Sequence, residues 1–572
     1  MRRQRDLERL ECGDTLDLLV VGGGAAGAAI LRAAALAGLR AALCERQDYA
    51  SGTTGRTTRL VHGGLRYLEH GHLRLVVESL RERRILIDIA PHRVAPLALH
   101  IPLYRDAGRP RWRVRLGLWL YDRLAGAARL GPSGPVGART IEERLGGLAT
   151  TGLRGVAVLH DARALSPERL IIETLVDAVE IGAIAANRLE LVALERDGDA
   201  LAALLADTAG NRELRVRARA VVNAAGPWIA EVDRRAAARQ PARVLWSRGT
   251  HVLIAPFEGA PTVALLVESP RDRRPVFILP SDGYLLVGTT EVAHRGDPSA
   301  ARATDDEVDY LCETLAHVWP AARGRPPYAA YAGVRALPAG TDAARADRRH
   351  RLIAGSPAGY FTLLGGKLTT HRLAGEETVD AVWRLLGRPP RNGHPTAIRP
   401  LPGAPLRPEL DDVARLAARH GLPRDEAAAL FGRWGARAWA VTALSPPLPP
   451  ASTASAVPAP SDPARQAAAG GLRPEEIRFA MQSEGALTLD DVLLRRTNVG
   501  FDPRLTRHAL QAAAWIWAGG GDHGVPADGP GRVGGGGGGG PSDDTVRVET
   551  AARREAMRVA ALLTDVYRRQ LD

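Results

Sequence analysis

The sequence predicts an α/β protein in which a parallel-sheet nucleotide domain is interleaved with an antiparallel sheet and followed by a helical C-terminal region. Three observations predict it. An apolar run from Leu16 to Val21, interrupted only by Asp17, leads into Gly22, Gly24 and Gly27 at GxGxxG spacing, and a second apolar run ends in Glu45. Residues 249–291 alternate as an antiparallel sheet does, with a hairpin turn expected at Ser281-Asp282-Gly283. Beyond about residue 396, segments 411–432, 474–497 and 546–570 carry helical periodicity.

The first of these is a βαβ dinucleotide fingerprint. Gly22 makes the tight turn, Gly24 lets the backbone approach a pyrophosphate, and Gly27 lets helix and strand pack closely. A small-residue helix through Ala37, with Ala26 in its first turn, ends at Gly38. Glu45 then stands where ribose hydroxyls are received. A bound dinucleotide follows from the complete strand–helix–strand–Glu series, which a GxGxxG alone does not establish.

At 572 residues the chain exceeds one compact core, so two or three domains are expected. The net charge of +12 is carried by arginine, and Lys367 is the only lysine. Such an excess attracts anions, whether nucleic acid, anionic lipid or a phosphorylated substrate. No nucleic-acid-binding motif or dense basic tail is present, so nucleic acid is not expected as a partner. Cys12, Cys44 and Cys312 are too few and too scattered for a disulfide framework or a metal site, which fits a reduced, cytoplasmic compartment. The charged N-terminus lacks the apolar core of a secretory signal, and no apolar run reaches the ~20 residues that span a bilayer.

Following Glu45, Arg46 opens a polar, Gly-rich stretch to Gly64 whose hydroxyls, including Thr53 and Thr58, suit a loop wrapping a cofactor. A helix is expected from about Leu65. Residues 104–125 combine Arg109, Arg111, Arg113 and Arg115 with Trp112, Trp119 and Tyr121. Cations meet lipid phosphates while indoles sit at headgroup depth, so this segment reads either as a membrane-interface helix or as a core helix with a solvated flank. Ser166-Pro167 starts a helix that runs to Ile181. Runs around 189–194, 201–205 and 214–216 read as a three-stranded meander, and 220–223 as a separate buried strand. The strand leads into Ala224-Ala225-Gly226, a turn small enough to lie against a planar ligand. Gly365-Gly366-Lys367-Leu368-Thr369 follows a strand, and a helix starting near Lys367 makes an anion site on backbone grounds. The low-complexity stretches 445–471 and 519–544 cannot build a core and are expected to be mobile.

Four segments together carry a specific resemblance: Leu60-Val61-His62-Gly63-Gly64-Leu65-Arg66-Tyr67-Leu68-Glu69, Gly333-Val334-Arg335, Gly365-Gly366-Lys367-Leu368-Thr369-Thr370, and 489–497 (LDDVLLRRT). In this order they resemble the FAD-dependent glycerol-3-phosphate dehydrogenases of the aerobic type. The resemblance implies FAD rather than NAD. It implies a Rossmann-like FAD domain (about 16–100, 150–240 and 350–395) interleaved with a substrate domain of the D-amino-acid-oxidase type (about 100–150 and 240–350). An all-α domain at 396–572 completes it. It also implies peripheral attachment to the inner face of the cell membrane, favours 104–125 as the lipid contact, and allows a homodimer. The chain departs from the family at Gly55 and Arg59, where a serine and a lysine are usual.

By the same resemblance, Leu60, His62, Gly63, Gly64, Gly366, Leu368 and Thr369 contact the flavin. Arg66, Tyr67, Arg335, Arg348 and Lys367 line the site of glycerol 3-phosphate, whose phosphate carries about −1.5 to −2 charge and asks for cations, arginine above all. A lysine kept in so arginine-rich a chain suggests that a compact ammonium is required at 367. The implied reaction moves a hydride from substrate C2 to the flavin, with His62 a candidate for the hydroxyl proton and a membrane quinone as final acceptor. The alternatives are a glycerophosphate oxidase that uses oxygen, or another FAD-dependent amine or hydroxy-acid oxidoreductase.

Overall fold

The computed structural model describes residues 2–69, 71–105, 110–238, 242–281, 283–339, 349–389, 393–405, 411–444, 471–519, 543–569 and 571. It divides into two compact units, Arg3–Ala404 and Pro405–Asp572 with Met1–Arg2. After α1 (Arg2–Glu11), β1 (Leu16–Val21), α2 (Ala25–Leu36) and β2 (Ala41–Glu45) form the βαβ unit. There follow β3 (Leu60–Val61), α3 (Leu65–Glu69), α4 (Leu73–Ile89), β4 (Val94–Tyr104), α5 (Arg111–Ala125), β5 (Gly134–Pro135), α6 (Ala138–Leu145) and β6 (Leu153–Ala164). Next come α7 (Pro167–Glu180), β7 (Ile184–Asn187), β8 (Leu189–Asp197), β9 (Ala200–Asp207), β10 (Arg212–Asn223) and α8 (Ile229–Arg235). A second excursion holds β11 (Val244–Ile254), β12 (Ala264–Glu268), β13 (Pro275–Ser281), β14 (Tyr284–Gly288), β15 (Val292–Ala293), α9 (Asp305–Val318) and β16 (Ala329–Pro338). β17 (Arg351–Ala354), β18 (Tyr360–Leu364) and α10 (His371–Leu385) close the unit.

The first sheet has the order β17-β18-β10-β1-β2-β7, with the β8–β9 hairpin extending from β10. β1 is parallel to both β2 and β10, and β18 is parallel to β10. The C-terminal ends of β1, β2, β10 and β18 therefore share one edge, where open α/β sheets bind ligands. One face is covered by α2, α7 and α10, whose Ile30, Leu170 and Val379 join the core beneath. The other is covered by the hairpin and α1, with Leu7, Leu194 and Leu205. Ser166 caps α7 by accepting the Arg169 N–H at 3.2 Å, a contact that contributes about 1 kcal/mol.

The second sheet runs β15-β11-β14-β13-β12-β4-β6-β3, with β16 paired to β11, and is antiparallel except for β12 beside β4. Leu311 and Leu315 of α9 pack on its β11–β14 face. β4 and β6 belong wholly to this sheet, so the expected boundary at about 100 falls within β4, and the one at about 150 falls just before β6.

Three local expectations need correction. The third meander strand and the buried strand after it are one strand, β10. Its first half faces solvent alternately through Arg215, Arg217 and Arg219, and its last four residues are buried on both sides. The helix after Gly365-Gly366 begins at His371, because both glycines sit at left-handed φ (+76° and +104°) and the Thr370 N–H closes a turn onto the Lys367 carbonyl. The C-terminal helices are also shorter than their periodicity suggests. Gly421, left-handed at φ 60°, separates Asp412–His420 from Arg424–Trp434. The 474–497 segment splits into Pro474–Ser483, a short turn at Leu489–Asp491 and a π-turn at Val492–Arg496.

The second unit centres on Trp434, fully buried, whose indole N–H donates to Glu476 Oε1 at 2.6 Å, while the Arg433 fork grips the same carboxylate at 2.6 and 2.8 Å. Its last helix is Asp543–Tyr567. The low-complexity stretches lie outside the described residues apart from their end positions, as does Asp282 of the expected hairpin turn.

Candidate functional site

A cavity of about 460 Å³ runs along the C-terminal edge of the first sheet and under the second. This is within the range of small-molecule sites. Its first end is built by the glycine turn. Gly22 sits at φ +110°, and a Cβ there would lie 2.8 Å from the Ala224 carbonyl oxygen. A Cβ on Gly27 would stand 1.8 Å from the Gly22 oxygen, so Gly27 supports the wall from behind rather than lining it. Gly24 precedes α2 with no side chain of its own to cap it; Thr54 Oγ1 accepts the Ala25 N–H at 3.1 Å, and Ala25 and Ala26 line the cavity. The Glu45 carboxylate accepts the Gly23 N–H at 2.6 Å and the Gln47 N–H at 2.8 Å. Burial pushes that carboxyl up, and the two N–H groups oppose the shift.

Arg46 closes this end. Its guanidinium lies 4.9 Å over the Trp228 ring and bonds Glu231 at 3.2 Å. Ala225 and Gly226 line the opposite wall, with Gly226 at φ +58°. The loop from Thr53 to Thr58 is laced to β16. Thr53 Oγ1 donates to the Val334 carbonyl at 2.5 Å, the Tyr331 hydroxyl donates to the Thr57 carbonyl at 3.0 Å, and Arg56 donates to the Ala332 carbonyl at 3.3 Å. One strand of the antiparallel sheet thereby clamps the loop and delivers Arg335 to the cavity. The two family departures fit this backbone. A Cβ on Gly55 would lie 2.8 Å from the Ala50 carbonyl oxygen, and the buried Arg59 turns to Glu168 at 3.2 Å.

The second end gathers Leu60, His62, Gly64 and Tyr67 from one side and Gly366, Lys367, Leu368 and Thr369 from the other. The Lys367 ammonium stacks 3.7 Å from the centre of the Tyr67 ring and reaches Ser79 Oγ on α4 at 3.4 Å. Arg335 Nη2 donates to Thr289 Oγ1 at 3.3 Å, with Glu291 4.0 Å from Nη1. A Cβ on Gly249 would fall 2.8 Å from Arg335 Nη2, so that glycine makes room for the guanidinium. Gly63 stands behind the wall. The Arg66 side chain and Arg348 lie outside the described residues; the neighbouring His350 pairs with Glu377 at 2.6 Å. α10 and α4, which carry the two loops onward, are pinned by a bidentate Arg372–Glu82 contact at 2.6 and 2.8 Å.

The structure adds residues that sequence reading passed over. Phe277, Leu99, Leu159 and Leu266 give the cavity an apolar floor, and Arg274 adds a third guanidinium beside Arg335 and Arg56. His251 sits behind Thr58, bonded to its hydroxyl at 2.8 Å, and burial first, then Arg335, pushes its imidazole down to about 3. A lone histidine in an apolar strand was the available signal. Asp161, which meets Tyr121 at Gly63, carried no signal at all, and Tyr121 was read only as part of the 104–125 segment. Among the described residues no group of side chains could hold a metal, and no helix is long and apolar enough to cross a membrane.

The donor set suits FAD: a helix N-terminus and glycine turn for pyrophosphate, an acidic residue for ribose, and two backbone loops flanking an apolar space. Residues 17–381 match the family described as FAD dependent oxidoreductase, and 394–519 match the C-terminal domain of alpha-glycerophosphate oxidase. A glycerol-3-phosphate dehydrogenase of Synechocystis sp. is 37% identical over 84% of this chain and 88% of its own length. A D-erythritol 1-phosphate dehydrogenase of Brucella abortus is 32% identical over 85% of this chain and 94% of its own. The solved structure of the FAD-complexed glycerol-3-phosphate dehydrogenase from Bacillus halodurans superposes with a TM-score of 0.75. It is 22% identical and covers 99% of this chain and 97% of its own.

Proposed function

The chain belongs to the FAD-dependent oxidoreductase family, in the group of glycerol-3-phosphate dehydrogenases, and from that premise we propose that it oxidises sn-glycerol 3-phosphate to dihydroxyacetone phosphate. The observation that carries the reading is the delivery of Arg335, from the antiparallel sheet, and Lys367, from the first sheet, to one cavity. A guanidinium fork and a compact ammonium together suit a phosphomonoester. When bound, FAD supplies the two-electron acceptor for the hydride that leaves C2.

The chain's own residues do the rest. Arg335 and Lys367 hold the phosphate, with Arg274 at the rim. Tyr67 keeps the ammonium in place by a cation–π contact. Phe277, Leu99, Leu159 and Leu266 exclude water, which strengthens each electrostatic contact within. His62 takes the C2 hydroxyl proton as the C–H bond breaks, leaving the ketone. Glycerol 3-phosphate rather than a longer polyol phosphate follows the higher identity to the Synechocystis relative.

Membrane quinone is the acceptor that fits the exposed surface. On α5, Trp112, Leu116 and Trp119 are 67, 53 and 59% exposed, among exposed Arg111, Arg113, Arg115 and Arg123. Indoles and guanidinium groups on one helix suit an anionic lipid surface on the cytoplasmic side, where a lipid-soluble acceptor is at hand. The test is anaerobic mixing of the yellow protein with glycerol 3-phosphate. Rapid bleaching, followed by reoxidation by a soluble quinone without stoichiometric hydrogen peroxide, supports the reading. Bleaching by erythritol 1-phosphate alone would refute the substrate, and full peroxide yield would refute the acceptor.

A further inference from the structure

Among the described residues five carboxylates line the cavity, and four of them are engaged away from the phosphate grip. Glu45 holds the Gly23 and Gln47 N–H groups, and Glu190 and Glu231 pair with Arg46 and Arg235 at the first end. Asp161 accepts the Gly63 N–H at 3.1 Å and pairs with Arg83 at 2.9 Å. The fifth, Glu291, stands at the second end among the cations. One of its oxygens lies 4.0 Å from Arg335 Nη1 and the other 3.8 Å from Arg274 Nη1. Its side chain is 11% exposed. A carboxylate in that place works against a bound phosphate dianion, because like charges repel strongly where water is excluded.

The backbone holds Glu291 there. Thr290 before it is buried, and its hydroxyl accepts the Thr250 N–H of β11 at 2.9 Å and donates to Glu307 Oε1 of α9 at 2.7 Å. Glu307 pairs in turn with Arg248 at 2.8 Å. From the other side, Arg274 Nη1 donates to the Glu291 carbonyl at 2.8 Å. The turn at 289–291 is thus tied to β11, to α9 and to the segment before β13. It presents the Thr289 hydroxyl and then the Glu291 carboxylate beside one guanidinium, that of Arg335. A side chain carried on so fixed a backbone can select a ligand by geometry. A carboxylate has about four acceptor positions and no donor. Ion pairs at 3.8 and 4.0 Å are longer than a hydrogen bond and do not exhaust those positions.

We infer, on the reading of Arg335 and Lys367 as the phosphate grip, that Glu291 determines specificity by accepting a hydrogen bond from the terminal hydroxyl of the substrate. The cavity is thereby restricted to polyol monophosphates that carry a free hydroxyl beyond the one oxidised. Each part of glycerol 3-phosphate then has its own partner: the phosphate meets the cations, the C2 hydroxyl meets His62 and the C1 hydroxyl meets Glu291. The repulsion between Glu291 and the phosphate is offset when that third contact forms. Anions without the hydroxyl meet the repulsion alone, which selects against them.

The experiment uses the full, FAD-loaded chain and compares sn-glycerol 3-phosphate with (R)-propane-1,2-diol 1-phosphate. The second ester keeps the C2 hydroxyl and its configuration, with a methyl group in place of the terminal hydroxymethyl. The unaltered protein should favour glycerol 3-phosphate about 100-fold in kcat/KM, the scale of one hydrogen bond to a charged group. Glu291→Ala should cut that preference to less than about tenfold, and Glu291→Gln, whose amide oxygen accepts without a charge, should fall between the two. A merely structural role would slow both esters in proportion and leave the ratio unmoved. Inorganic phosphate is the second probe. It should inhibit Glu291→Gln about fivefold more strongly than the unaltered protein, because no carboxylate then opposes the anion. If Glu291→Ala does not fold with flavin, the ratio and the phosphate inhibition of Glu291→Gln decide. Equal use of both esters by the unaltered protein, or an unmoved ratio in the variants, would overturn the inference while oxidation of glycerol 3-phosphate stands. Bleaching by neither ester would overturn both readings.

Discussion

The Thr369 hydroxyl bridges both backbone groups of His62, accepting its N–H at 3.1 Å and donating to its carbonyl at 3.3 Å, across 307 residues of sequence. Thr369 is buried at 1% exposure. The hydroxyl fixes the spacing between the loop carrying His62 and the loop carrying Lys367, which lie far apart in the chain.

Thr369→Val keeps the shape and removes both bonds. The expected loss is about 1–2 kcal/mol of stability, because a buried N–H is left unpaired. Turnover should fall about tenfold with FAD still bound. Denaturant midpoints and steady-state kinetics check it, and an unchanged rate would show that the two loops are held by other contacts.

Arg335→Ala and Lys367→Ala should each keep the yellow colour while kcat/KM for glycerol 3-phosphate falls about 100-fold, as expected for truncating a charged partner of a desolvated anion. Lys367→Arg should recover little. The ammonium lies 3.7 Å from the Tyr67 ring centre, a space fitted to a point charge. Recovery of more than half the activity would show that charge alone is needed there.

Gly27→Ala should yield colourless or insoluble protein, since the added methyl would stand 1.8 Å from the Gly22 oxygen. Gly38→Ala offers the contrast. It is open on all sides but sits at φ +74°, so it should cost about 1 kcal/mol and leave flavin content unchanged. Flavin absorbance per mole of protein separates the two.

Stability should fall with acidity through two buried histidines. Burial pushes His251 down to about 3 and His371 to about 4, so both stay neutral in the folded chain. In the unfolded chain they take up protons below about pH 6.5. Each therefore favours folding above that pH, and its contribution is lost as pH falls toward the folded value, by up to about 1.4 kcal/mol per unit. Denaturation at pH 7.5 and pH 5 measures the slope. His371→Asn, which preserves a donor for the Leu368 carbonyl now 2.6 Å from Nδ1, should flatten it.

Much of the fold was legible because its signals are local. Three glycines at fixed spacing, a buried strand on either side and Glu45 specify a βαβ unit whatever follows, and alternation in 249–291 specifies strands. The helix start at His371 was misplaced because Lys367 reads as a good first residue, whereas two left-handed glycines and a closed turn delay the helix. The continuity of β10 was hidden because one strand crosses from a half-solvated hairpin into a fully buried sheet, which changes its pattern midway.

By itself the sequence determined the dinucleotide edge, the second layer, the helical tail, and the segments bearing His62, Arg335 and Lys367. Those motifs are short stretches whose backbone chemistry requires particular residues. Only the tertiary structure decided that Thr369 ties down His62, that His251 stands behind Thr58, and that Tyr121 and Asp161 share the Gly63 N–H. Each of these pairs partners far apart in the chain through a single buried polar atom, and a side chain's burial partner leaves no periodicity in the sequence from which to find it.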